Sequence, residues 1–220
     1  MPSFMSWFSI RNCPVRSDTL EQGRSASAPR VSYNRSFTYP SMMSSSTHTV
    51  FRLAHRNGFD GIQPFTEPIP VPSASEVLLK VRAVSLNYRD ILIARSQYPF
   101  PMQDNLVPCS DMAGEVVQAG SLVERVEVGD KVILPLSLEL LYGHVKDMKS
   151  TLGGPKDGVL REYIAVPEHV VVKIPKGAGQ SWEQWASLIT TGSTVWNAFY
   201  GGKPLMPGMS VLAQGMLLPL

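Results

Sequence analysis

The stretch Val107–Val132, VPCSDMAGEVVQAGSLVERVEVGDKV, decides the fold. It holds two short apolar runs, each bounded by a turn signal. Met112 to Val117 reads as a strand that stops at Gly120-Ser121. Val128-Gly129-Asp130-Lys131-Val132 reads as a tight turn opening a second strand, with Gly129 free to take a positive φ. Gly114 falls inside the first run. Glycine weakens a strand interior, and its presence there marks a bulge or a second backbone passing close. The periodicity implies a small antiparallel β structure.

Outward from this centre the pattern continues. Thr49 to His55 alternates as a strand does, and Asn57-Gly58 is a hairpin signal. Pro64 to Pro72 reads as an irregular connection. Glu76 to Ser85 predicts a strand with Val77, Leu79, Val81 and Ala83 on one face. A short helix is expected from Asn87 to about Arg95, followed by a polar loop over 97–106. Residues 136–160 form a long loop, a kind that often carries function. Arg161 to Val166 and His169 to Ile174 look like paired strands with Pro167 between them. Ser181 is a plausible N-cap with Gln184 at the capping-box position. The helix it opens runs from about Trp182 to Tyr200, with Gly192 as the place where a break would fall. Gly201-Gly202 and Pro204 end it, and Ser210 to Gln214 is one more apolar strand.

Composition bounds the function classes. The 220 residues allow one large or two small domains, and 44% apolar residues are ample for a core. Residues 1–47 hold five Arg, no Lys and two acids; residues 48–220 hold 15 basic and 16 acidic residues, net −1. The folded part has no basic bias, so no nucleic-acid partner is expected. No apolar run reaches the roughly 18–20 residues of a bilayer span, so no membrane partner is expected either. The two cysteines, Cys13 and Cys109, show no framework spacing and suit a reduced intracellular setting. Residues 1–47 read as a disordered or upstream extension, or as a mitochondrial transit peptide. The expected location is therefore cytoplasmic, with mitochondrial as the alternative.

The motifs also carry a resemblance. Pro108-x-x-Asp111-x-Ala113-Gly114-x-Val116, then Gly120, then Val128-Gly129-Asp130-x-Val132, resembles the signature of the GroES-like domain of medium-chain dehydrogenase/reductases. Ser85-Leu86-Asn87-Tyr88-Arg89-Asp90 falls where that family has its first catalytic loop. The resemblance spans about 170 residues and is closest to the zinc-independent, quinone-oxidoreductase-like branch. It implies a mainly β fold with short helices: a partly open antiparallel barrel over 48–180, then from 181 to 220 helices and the first strand of a truncated Rossmann domain. Gly215 matches the first glycine of the cofactor's pyrophosphate turn, but Met216-Leu217-Leu218-Pro219 replace the rest. Leucines cannot give that close backbone approach, and proline has no N–H. The resemblance thus covers roughly half of a full-length member, and the chain is expected to be inactive alone.

What the family does gives the site expectations. A full-length relative would move a hydride between NADP or NAD and a small carbonyl, quinone or alkene substrate. By position the zinc ligands of other members fall on Asn87, Ser110 and Thr190, with Asp111 at the accompanying acid; none of the three is a soft ligand, and no metal is expected. In zinc-independent relatives an Asn and a Tyr eleven residues later face the substrate, as Asn87 and Tyr98 would here, with Tyr88 as another proton donor. Asn87 is equally placed to cap its helix. Thr194 matches a threonine near the nicotinamide, or bonds back along its own helix. Asp90 and Asp111 read as an acid pair or as structural acids. The alternatives to an enzyme are a non-enzymatic GroES-like binding module, including one that pairs as a homo-oligomer, and a truncated gene product.

Overall fold

The structure, a computed structural model, describes residues 46–140 and 148–212. Seven strands and two α-helices follow in order: β1 (Thr47–Leu53), β2 (Ile62–Pro68), β3 (Glu76–Ser85), α1 (Tyr88–Ala94), β4 (Asp111–Ala119), β5 (Lys131–Leu134), β6 (Tyr163–Pro167), β7 (Val172–Lys173) and α2 (Trp182–Tyr200). β1 and β2 make an antiparallel hairpin, and the other five strands make an antiparallel sheet in the order β6-β3-β4-β5-β7.

The central stretch behaves as its residues dictate. Gly129 takes φ 93° in the turn before β5. Gly114 pairs with Val81 on β3, and a Cβ there would overlap the carbonyl oxygen of Lys80. The close backbone implied by an interior strand glycine is therefore present, beside register shifts at Leu78/Leu79 and Val81/Ala83. Alternate residues of four strands point inward. Val77 and Leu79, Met112 and Val116, Val132 and Leu134, and Ile164 and Val166 are all buried in one cluster.

The sheet is curled. Laid flat, five strands would hold β6 and β7 about 19 Å apart. The link from Pro167 to Val172 holds a 3-10 turn, Glu168–Val170, and even five fully extended residues reach at most about 18 Å. The sheet must bend until its two edges approach, which gives a partly open antiparallel structure. The hairpin leans against this opening: Val50 bridges Arg161, and Phe51 donates its N–H to the Leu160 carbonyl at 3.0 Å.

Three expectations need correction. Pro64 to Pro72 is not wholly irregular, because β2 runs through Pro64 and Pro68. β2 pairs only with β1, so a missing N–H on its other edge costs no ladder bond. The two strands around Pro167 do not pair with each other; β6 pairs with β3 and β7 with β5. Residues 210–212 of the expected Ser210–Gln214 strand lie in no strand, having no neighbour to pair with among the described residues, while Gln214 and Gly215 lie outside them. Residues 1–45 of the expected 1–47 extension also lie outside, whereas Thr47 already begins β1. α2 is continuous through Gly192, and its capping box is formed: Gln184 N–H donates to Ser181 Oγ at 3.3 Å, and Ser181 N–H to Gln184 Oε1 at 2.9 Å. None of the helices is long and apolar enough to cross a membrane among the described residues.

One joint is sensitive to pH. His48 is 4% exposed, and its Nδ1 accepts the N–H of Tyr163 at 3.2 Å. Burial, and next the charge of Arg161, lower the pKa of His48 below its usual 6.5. The unfolded chain therefore takes up a proton that the fold resists. This contribution to stability is complete above pH 6.5 and is lost as pH falls from there towards the lowered folded value. Thermal unfolding at pH 7.5 and 5.5 should show lower stability at 5.5. His48→Gln, whose amide oxygen can accept the same N–H, should flatten the difference; an equal drop in both proteins would contradict this assignment.

Candidate active site

α1 starts where the chain leaves β3. Asn87 is its N-cap, with extended backbone; Asn87 N–H donates to Asp90 Oδ2 at 2.8 Å, and Asp90 N–H to the Asn87 carbonyl at 2.9 Å. These two bonds hold the start of α1 through the Asn87 backbone, and the half-buried Asn87 side chain borders a cleft of about 270 Å³. The wall opposite comes from the hairpin and its loop, with Leu53, Phe59 and Ile62. Asn87, Tyr88, Asp90 and Cys109 are the polar residues on an otherwise apolar lining.

The structure brings Asn87 and Tyr88 to one cleft, with Tyr88 largely exposed. It does not bring Tyr98 there. The Tyr98 ring packs against the buried cluster of Leu53, Ile93, Ala94 and Leu106, with the Arg89 guanidinium 5.3 Å from its centroid. Arg89 also donates Nη1–H to the Leu152 carbonyl at 2.8 Å, so it ties α1 to the long loop. Thr194 is exposed on α2, and its hydroxyl donates to the Thr190 carbonyl at 2.7 Å, back along the helix. Gly215 lies outside the described residues.

Ser110, Asp111 and Thr190 converge, although Asp111 and Thr190 are 79 residues apart. Asp111 is 1% exposed and accepts three hydrogen bonds: from the Ser110 hydroxyl at 2.8 Å, the Thr190 hydroxyl at 2.8 Å and the Thr190 N–H at 3.1 Å. Two of the three positions expected to match zinc ligands, Ser110 and Thr190, thus serve as hydrogen-bond donors to the Asp111 carboxylate, and this knot fastens α2 to the start of β4. No group of three or more His, Cys, Asp or Glu among the described residues is placed to hold a metal.

Asp90 sits in a different environment. Burial raises its pKa above the ordinary carboxylate value, the bond from Asn87 and the charge of Arg89 oppose the rise, and nearby Asp111 adds to it. Its Oδ1 is buried without a hydrogen-bond partner. Cys109 is 2% exposed and held at φ 67°; burial pushes its thiol pKa up, which keeps it protonated and unreactive. The hairpin wall and Arg89's grip on Tyr98 were not foreseen from the sequence. Their only sequence trace is the Tyr88-Arg89-Asp90 run itself.

Residues 73–176 match the alcohol dehydrogenase GroES-like domain. The chain is 38% identical over 164 residues to a zinc-type alcohol dehydrogenase-like protein of Schizosaccharomyces pombe, covering 72% of this chain and 47% of that protein. It is 33% identical over 153 residues to a chloroplast envelope quinone oxidoreductase homolog of Arabidopsis thaliana, covering 69% of this chain and 41% of that one. Among solved structures, one titled as an alcohol dehydrogenase of Sinorhizobium meliloti superposes with a TM-score of 0.62 at 31% identity, over 72% of this chain and 47% of its own. The chain spans about half the length of the curated relatives it matches.

Proposed function

Because this chain belongs to the medium-chain dehydrogenase/reductase family and carries its GroES-like domain, we propose that it is the substrate-binding, catalytic part of an NAD(P)-dependent oxidoreductase. The substrate is a small carbonyl compound, quinone or activated alkene. The observation that carries this reading is the apolar cleft with the Asn87 side chain on its wall. A dry wall favours an apolar substrate, and a single amide donor polarises its oxygen without a metal. Asn87 would donate to the substrate oxygen, and Tyr88 or a water would deliver the proton. Tyr98, held under Arg89, would support the loop beside α1, while Thr194 on α2 would face the nicotinamide. The nicotinamide supplies the hydride. The residues described here fit the substrate side of such a site; Gly215, aligned with the pyrophosphate turn, lies outside them.

A chimera tests this reading. Residues 46–212 placed ahead of the second half of the S. pombe relative should oxidise NADPH or NADH with quinones, aldehydes or enals. Asn87→Ala in that chimera should lower kcat/KM by about 100-fold, the order seen when one oxyanion donor is removed. The bond from the residue 87 N–H to Asp90 Oδ2 should survive the change, since it uses the backbone. A chimera that folds and binds dinucleotide yet turns over none of these substrates would sink the proposal.

A second reading rests on α2. Leu188, Val195, Trp196 and Tyr200 are each 45–57% exposed and form one apolar face. Such a face suits a binding module or pairing of two copies. Sedimentation of the purified chain distinguishes a defined dimer from a monomer.

A further inference from the structure

The cleft has a charge character that its apolar lining conceals. Neither lysine nor arginine is among its lining residues, and its one formal charge is the carboxylate of Asp90. Two further charges act on Asp90 in opposite senses, the Arg89 guanidinium and a second buried carboxylate, Asp111, so the three together carry a net negative charge. The nearest guanidinium, Arg89, is turned away to the Leu152 carbonyl and the Tyr98 ring. The N–H of the N-cap residue Asn87 is already taken by Asp90 Oδ2 and is not free for a ligand's anionic group.

We propose that Asp90 is a specificity-determining residue that makes the cleft admit uncharged apolar ligands and reject anionic ones. This deepens the reading of the cleft as the substrate side of the site and rests on it. An anion entering would lose its hydration, find no cation on the lining, and meet a carboxylate in a medium of low dielectric. A ketone, quinone or enal of the same length meets only apolar walls and the Asn87 amide. At interior packing density the cleft accommodates roughly ten non-hydrogen atoms. The substrate class is therefore a small neutral carbonyl compound, and acids, phosphorylated metabolites and their conjugates are excluded.

The test is binding, with no cofactor present, so that its outcome is separate from that of the hydride-transfer assay. The isotopically labelled 220-residue chain is titrated at pH 8 with heptan-2-one, heptanoate and hexylammonium, and the amide signals of residues 87–91 and 109 are followed by NMR. Heptan-2-one should move them saturably, and heptanoate should bind at least about ten-fold more weakly. Hexylammonium separates the causes. Binding no weaker than that of the ketone assigns the rejection of heptanoate to the sign of the charge, whereas binding as weak as heptanoate's would mean any ion is refused and would overturn the role of Asp90. Asp90→Asn, checked for a cooperative thermal transition, should bring heptanoate to within about three-fold of the ketone. Equal affinity of ketone and heptanoate for the unaltered chain, or no saturable shift with the ketone, overturns the proposal.

Discussion

Asp111→Leu should destabilise the protein by about 3 kcal/mol, whereas Asp111→Asn should cost about 1 kcal/mol. The contrast follows from who donates to whom. Leucine leaves the Ser110 hydroxyl, the Thr190 hydroxyl and the Thr190 N–H without their acceptor at a site that is almost fully buried. Asparagine can turn its amide so that the oxygen accepts from the Thr190 N–H. Its NH₂ then donates to the two hydroxyls, which rotate to accept. What is lost is the extra strength of bonds to a charged acceptor. Thermal unfolding should show the leucine variant about 10 °C below the parent and the asparagine variant much closer to it. Amide exchange at Thr190 should quicken in the leucine variant while the strands of the sheet stay protected. Equal losses in the two variants would mean that the knot does not act through hydrogen bonds.

Gly158→Ala should cost about 3 kcal/mol or more and leave little soluble protein. Residues 107–109 and 158–160 run against each other, with Gly158 N–H donating to the Val107 carbonyl at 2.6 Å and Val159 N–H to the Cys109 carbonyl at 3.0 Å. A Cβ on residue 158 would overlap the carbonyl oxygens of Cys109 and Pro108, which are backbone and cannot swing aside. Cys109 is already held at positive φ, an uncommon conformation for a residue with a side chain, so the segment has little room to yield. Gly129→Ala is the useful comparison. Gly129 also has a positive φ, but its Cβ would meet open space, so the cost there is conformational strain of about 1 kcal/mol. Similar stability of the two alanine variants, measured by denaturant unfolding, would contradict the overlap argument.

Much of the fold was legible because its signals are local. Gly114, Gly129, the alternation of Glu76 to Ser85 and the Ser181/Gln184 box each announce a conformation decided by nearby residues. The errors lie where distant residues decide. Pro64 and Pro68 read as breakers until it is known that their strand is bonded on one side only. The strands around Pro167 look like a hairpin because they are adjacent in sequence, yet each completes a different edge of the curled sheet. The placement of the candidate residues also depends on distant contacts. Asn87 and Tyr88 were found through their motif, and they share a cleft. Tyr98 satisfied the spacing, but its ring is claimed by Arg89 and by the cluster around Ile93. Ser110, Asp111 and Thr190 stand out only as positions that the family resemblance implies. Their bonding to one another depends on a contact across 79 residues that no local pattern encodes.

The seam between the hairpin and the curled sheet also sets a timetable for synthesis. β1 and β2 leave the ribosome early and can pair with each other at once. Thr49, however, bonds to Glu162, 113 residues later. At about 5–20 residues per second, the hairpin waits roughly 5 to 20 s for the strip it docks on. During that interval Leu53 can already meet Ile93, Ala94 and Leu106, whereas Val50, buried in the finished fold, lacks the Arg161 strip it bridges. The N-terminal hairpin is thus the part of this domain with the longest exposure to chaperones, and the first to be misdirected if translation stalls before residue 160.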